Sequence, residues 1–128
     1  MSAMSNYLET AFLDHFLGRA ATSAPSNVYV SLWTSDPTDG GSGTEVSASG
    51  YARKAITWDA ASGGSIANAA VVDFDVAGAS WSTITHFGIH DALTSGHLLF
   101  HGPLATSQEI SINDIFRFAA GGITVTAA

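Results

Sequence analysis

The sequence predicts an all-β (mainly β) chain: an antiparallel β-sandwich or jelly-roll-like barrel preceded by one N-terminal α-helix. Three observations predict it. Short alternating runs such as VYVSLWT place Val28, Val30 and Leu32 on one face and Tyr29, Ser31 and Trp33 on the other, the period-two signature of a half-buried strand. Gly, Ser, Asp and Asn turns separate these runs from Pro25 to the end, with no helical period between them, which excludes a parallel α/β architecture. Helical periodicity occurs only once, at the start.

That helix is expected from Asn6, which can cap the first turn, with Glu9 three positions on able to reach back. Leu8, Phe12 and Phe16 follow at intervals of four, Ala11 and Leu17 widen the stripe, and Gly18 sits where a left-handed residue ends a helix. The default for such a face is to cover the edge of its own sheet; the alternative is a neighbouring subunit. Residues 1–22 are thus read as a helical segment and residues 23–128 as the sandwich, together one domain.

Strands are expected near Asn27–Thr34, Tyr51–Trp58, Val71–Val76, Thr83–Asp91, His97–Gly102, Gln108–Ile112, Ile115–Phe118 and Gly122–Thr126. The stretch Ser35 to Gly50 is Ser, Gly, Asp, Pro and Thr with a single Val, too poor in apolar surface to order as core. It must lie on the surface or against a partner. Its Asp36, Asp39 and Glu45 do not alternate as calcium ligands do, because Ser42 and other neutral residues interrupt them. Asp73 and Asp75 are expected on the wet side of a strand whose other face carries Val72, Phe74 and Val76.

Composition limits the functions available. Only 12% of residues are charged against 46% hydrophobic, about half the usual charged share, which points to surface buried in an assembly. A net charge of −7 repels phosphate backbones and anionic lipid surfaces, so no nucleic-acid or membrane partner is expected. The start MSAMSNYLETAF has neither a basic n-region nor an apolar h-region. Without cysteine there is no disulfide framework and no thiolate chemistry. No G-x-S-x-G elbow and no Ser-His-Asp arrangement stands out, so no enzyme and no cofactor are expected.

The predicted hairpin Thr83–Gly102 holds four of the five histidines. If Phe87 and Ile89 share the buried face with Leu98 and Phe100, Asp91 pairs with Gly96 across a four-residue loop, Ala92 to Ser95. His90 then faces His97 and His86 faces His101 on the outer side, two pairs whose Cβ atoms are within about 5 Å. A pair is half a metal site, so the favoured reading is exposed or interface imidazoles rather than zinc or nickel at His86, His90, His97 and His101. Among the aromatic and basic residues, Trp58 shares parity with buried Ile56, whereas Tyr29 and Trp33 oppose the apolar face. Together with Arg53, Lys54, Phe12 and Phe16 they form the candidate interface, one of the two basic residues pairing with an acid or bridging subunits.

The order of a strand, TSDPTDGGSGTEVS and then GYARKAITW resembles a family of small tailed-bacteriophage virion proteins labelled tail fibre proteins. The resemblance continues through NYLETAFLDHFLGRA, the hairpin THFGIHDALTSGHLLFHGPL and the closing FAAGGITVT, and so spans nearly the whole chain. It implies a non-enzymatic structural protein of the virion, made in the bacterial cytoplasm, whose partners are other capsid or tail proteins. Two jobs fit, a tail or fibre element and a capsid decoration (cement) protein. One short chain covering a large surface favours a homo-oligomer, a trimer first. The alternative of another class is a glycan-binding module using exposed aromatics.

Overall fold

The computed structural model of the chain describes residues 2–127. Its elements run β1 (Ala3–Met4), α1 (Asn6–Phe16), β2 (Val28–Trp33), β3 (Lys54–Ile56), β4 (Ser65–Ala67), β5 (Val72–Asp73), β6 (Ser82–His90), β7 (Leu98–Ile110), β8 (Arg117–Phe118) and β9 (Thr124–Thr126). All pairings are antiparallel. One five-stranded sheet has the order β1-β7-β6-β2-β3, and the remaining strands pair only in twos, β4 with β9 and β5 with β8. The fold is therefore mainly β with antiparallel sheets and one N-terminal helix.

The core lies against one face of the large sheet. Alternation on β2 sends Val30 and Leu32 there, and β6 adds Ile84, Phe87 and Ile89. The two ribbons supply Val72, Phe118 and Val125 to the same cluster, where Phe74, Trp81, Phe116 and Phe118 meet edge to face. Each such side chain contributes about 1.5–3 kcal/mol of burial. Buried Asn68 joins the ribbons: its amide donates to the carbonyls of Ala70 and Ala119, and its Oδ1 accepts from Ile123 N at 2.8 Å.

The helix forms where its spacing predicts, but its cap and its packing differ. Ser5, not Asn6, is the N-cap; its Oγ accepts from Leu8 N at 3.2 Å and also donates to the Leu98 carbonyl. A one-residue shift moves Glu9 out of reach of a capping box. No helix residue is buried. Phe12, Leu13, Phe16 and Leu17 stay open to solvent, Phe16 at 69% and Leu17 at 80%, so the expected covering of its own sheet by this apolar side does not occur. No helix among the described residues is long and apolar enough to cross a membrane.

The two strands expected at His97–Gly102 and Gln108–Ile112 are one strand, β7. Its ladder with β6 runs from Ile110 to Gln108 and from Pro103 to Leu98, while Thr85 alone stands opposite the four residues Leu104 to Ser107. Pro103 has no N–H to donate, and the chain bows away before rejoining. The short strands β1 and β4 carry too few residues for alternation to reveal them.

Candidate functional site

The second face of the five-stranded sheet is where the chemistry-bearing side chains collect. Ser31, Trp33, His86, Gly88, His90 and His101 share it, because β2 and β6 pair Ser31 with Gly88 and Trp33 with His86, while β7 sets His101 opposite Gly88. This face is not wet. The stretch after Trp33 folds over it, with Pro37 buried, an isolated bridge from Trp33 to Glu45, and Val46 N donating to Leu32 O at 2.9 Å. Most of Ser35–Gly50 stays on the surface as expected, Asp36 and Asp39 with side chains 60% and 49% exposed, but the loop is ordered and sends Pro37 and Val46 inside. Its own polar groups fold it: Asp36 Oδ1 accepts from Thr38 N, Thr38 Oγ1 meets Ser42 Oγ at 2.8 Å, and Ser35 Oγ accepts from Thr44 N.

The histidines do not pair as the hairpin register predicts. Asp91 N donates to His97 O and Asp91 Oδ1 accepts from His97 N at 2.7 Å, so the loop holds five residues, Ala92 to Gly96, with Ser95 and Gly96 left-handed. A β-bulge between Ile89 and His90 adds a further shift. His90 is consequently opposite Leu98, His86 opposite Pro103, and Leu98 moves off the expected core face to lie against Gly88. Phe87, Ile89 and Phe100 keep theirs. Among the described residues no group of three His, Cys, Asp or Glu is placed to hold a metal ion.

Each histidine has its own partner instead. His90, 4% exposed, has Nε2 at 2.8 Å from Ser31 Oγ, which also accepts from Trp33 Nε1 at 2.7 Å. Its ring lies parallel to the Trp33 indole. Burial, and then the nearby Arg53 charge, pushes its pKa down to about 4, so it is neutral near pH 7. His101, 7% exposed, places Nε2 2.8 Å from Asp39 Oδ1 and Nδ1 3.7 Å from Asp36. His97 stacks on Tyr7 with centroids 3.7 Å apart and sets Nδ1 3.0 Å from Asp91 Oδ2. His86 Nδ1 meets Thr85 Oγ1 at 2.8 Å.

Beside this cluster stands an ionic centre that the strand pattern left hidden. The Arg53 guanidinium forks onto Glu45 through Nε and Nη2 at 2.9 and 2.8 Å, and its Nη1 donates to the carbonyls of Ala92 and Ser95. Tyr51 donates to Glu45 at 2.6 Å and accepts from Leu32 N. Burial opposes the Glu45 charge, but hydrogen bonds from Arg53 and Tyr51 outweigh it and hold the carboxyl below its usual range. Burial and then Glu45 push the Tyr51 phenol well above its own. Burial also opposes the Arg53 charge, yet bonding to Glu45 keeps its pKa raised. The arrangement is fully paired: no buried side-chain N or O among the described residues lacks a partner. Such a network rigidifies rather than reacts.

Of the six interface candidates, Trp33 is 5% exposed and Arg53 is bound to Glu45 and the hairpin tip, so both face inward. Tyr29 and Lys54 are half-buried on neighbouring strands, Lys54 bonding Asp75 at 2.8 Å; Asp73 in turn holds Arg117. Phe12 and Phe16 are open. Trp81 is buried, donating to Ser49 O, and Trp58 is half-buried against the core. An open groove of about 630 Å³ runs between the bowed part of β7 and the chain around Phe118 and Ile123. A smaller one of about 320 Å³ has His86, His101 and Asp36 on its walls. Ser31 and Ser5 escaped the sequence reading; the only signal for Ser31 was a small hydroxyl sharing parity with Trp33 inside an apolar strand.

Comparison with known proteins finds no match among curated proteins. A family model, described as podophage GP4 fiber I protein gp80, matches residues 3–126. That span takes in the helix, the acidic loop, the histidine hairpin and the last strand. The chain belongs to this gp80 family of podophage fiber I proteins, structural and non-enzymatic components of the virion's tail fibre.

Proposed function

We propose that this chain works as a homo-oligomeric structural subunit of the tail fibre, three copies to an assembly, joined through the apolar side of α1. The observation that carries this reading is the helix with no buried residue and with Phe12, Leu13, Phe16 and Leu17 open on one side. At ~150–250 Å² per aromatic side chain, their exposed area is on the order of 500 Å², the top of the range for a monomer's largest apolar patch. A second copy covering it with a like patch buries on the order of 1,000 Å², the floor for a specific interface. Half-buried Tyr29 and Lys54 are further candidates for contact with copies or other tail proteins.

Fibre-family membership favours the tail position over capsid decoration, and with it a few to dozens of copies per particle rather than hundreds. The glycan-binding alternative draws less support, since Trp33 and Trp81 are occupied in the interior. Light scattering on purified protein tests the reading. The wild type is expected to run as an oligomer, and the Phe12→Ser, Phe16→Ser variant as a folded monomer that still unfolds cooperatively, at a lower midpoint because the stabilisation by association is lost. A monomeric wild type, or a variant that keeps its mass, removes the proposal.

A further inference from the structure

The segment β1–α1 is attached to the body by contacts that any neighbouring copy presents equally well. Ala3 and Met4 pair with His101 and Phe100 at the outer edge of β7. Ser5, buried, donates N to Leu99 O at 2.8 Å and Oγ to the Leu98 carbonyl. Asn6 N donates to Asp39 O at 3.0 Å, and Tyr7 stacks on His97. All of these lie within one turn of the helix start. Beyond it Ala11 and Asp14 are half-buried, while Phe12, Leu13, Phe16 and Leu17 form an uncovered apolar side.

A tether leads from the helix to β2. Every residue from Leu17 to Asn27 is exposed. Its first residues fold back on the helix end, Arg19 N and Ala20 N donating to Asp14 O and Thr22 N to His15 Nδ1. Released, the eleven residues 17–27 reach about 36 Å at ~3.3 Å each, which matches the ~35 Å breadth of a domain this size.

We infer that copies in the fibre exchange their N-terminal arms, residues 2–16, so that β1 of one copy adds to the β7 edge of the next. The inference rests on the homo-oligomeric reading above and says how the copies are joined. Exchange costs no arm contact, because each bond from Ala3 to Tyr7 is remade identically on the neighbour. The two arrangements differ in the tether, which gives up its fold-back bonds from Arg19, Ala20 and Thr22 to Asp14 and His15 when it extends, and in what covers α1. Carrying the helix onto the boundary between copies buries Phe12, Leu13, Phe16 and Leu17 there, which favours the exchanged form.

The chain has no cysteine, so an introduced pair reports one contact. In a Met4→Cys, Phe100→Cys variant the two thiols face each other across β1 and β7, at the ~4.5–5.5 Å Cβ spacing of opposed residues. After mild oxidation of the native protein, exchange predicts covalent multimers on a non-reducing gel and little free monomer. If light scattering shows an oligomer but the gel shows only internally closed monomer, exchange is overturned while the oligomer stands. If scattering shows a monomer and the gel agrees, both readings are lost. Should loss of Phe100 unfold the protein, Ser2→Cys with Thr126→Cys reads the same junction outside the core, since Ser2 Oγ accepts from Thr126 N at 3.0 Å; multimers again support exchange and closed monomer within an oligomer again overturns it.

Discussion

Protonating His90 should destabilise the fold in a defined pH window, and the size of the effect follows from its surroundings. The ring is buried between Ser31 and Trp33, with Arg53 close enough to lower its pKa further, and the folded value is about 4 against an ordinary value of 6.5. Between those values the unfolded chain binds a proton that the native state refuses, so stability falls as pH falls. Above about 6.5 the contribution is whole; below about 4 it is gone. At ~1.36 kcal/mol per unit of pKa the window integrates to about 3 kcal/mol, most of it lost by pH 4.5. Urea denaturation followed by tryptophan fluorescence, near pH 7 and near pH 4.5, measures it. Other groups titrate in this range, so the quantity to read is the difference between wild type and His90→Gln. That difference should shrink by about 2–3 kcal/mol between the two pH values. A difference constant to within about 0.5 kcal/mol would refute the reasoning, as would an imidazole NMR titration of His90 centred near 6.5.

Removing Glu45 alone leaves Arg53, whose side chain is 10% exposed, and the Tyr51 hydroxyl without their acceptor. Glu45→Ala should cost about 3 kcal/mol in urea denaturation, whereas Glu45→Met with Arg53→Met should cost markedly less, since no charge is stranded. Equal costs would show that the pair is not coupled. A Cβ on Gly88 would come within 2.7 Å of Ser31 Oγ and 2.9 Å of Trp33 Nε1. Gly88→Ala should therefore cost about 1–3 kcal/mol by overpacking and red-shift the Trp33 emission; an unshifted spectrum at wild-type stability would count against a closed second face.

The elements legible in the sequence are those whose pattern is long relative to their period. Val28 to Trp33 alternates over enough residues to name both strand and core face, β6 does so from Phe87 to His90 beyond the register shift that separates Ile84 from His86, and Leu8, Phe12 and Phe16 mark a helix without ambiguity. Side-chain competition hid the rest. Asn6 is a good cap, but Ser5 sits where it can bond both the helix and the Leu98 carbonyl. The hairpin register turned on whether Gly96 belonged to strand or loop, and the Asp91 carboxylate decided it by taking the His97 N–H. The acidic loop looked soluble because its order comes from hydroxyls and carboxylates bonding their own backbone, and from one proline and one valine that reach inside. Composition registers none of that. The strand pattern predicts only that one of Arg53 and Lys54 pairs with an acid or bridges subunits; that Arg53 is held inside by a glutamate eight residues earlier and by carbonyls about forty residues later is a distance no periodicity encodes.

Arg53 also settles what kind of surface the molecule offers at that end. One planar cation directs four hydrogen bonds so as to hold together three segments remote from one another in the chain, the acidic stretch at Glu45, its own strand edge and the hairpin tip at Ala92 and Ser95. Loops are ordinarily costly to bind because docking must freeze them. Here that ordering is already done inside the subunit, so a protein that settles on any of the three segments surrenders little chain freedom and meets a surface shaped before contact.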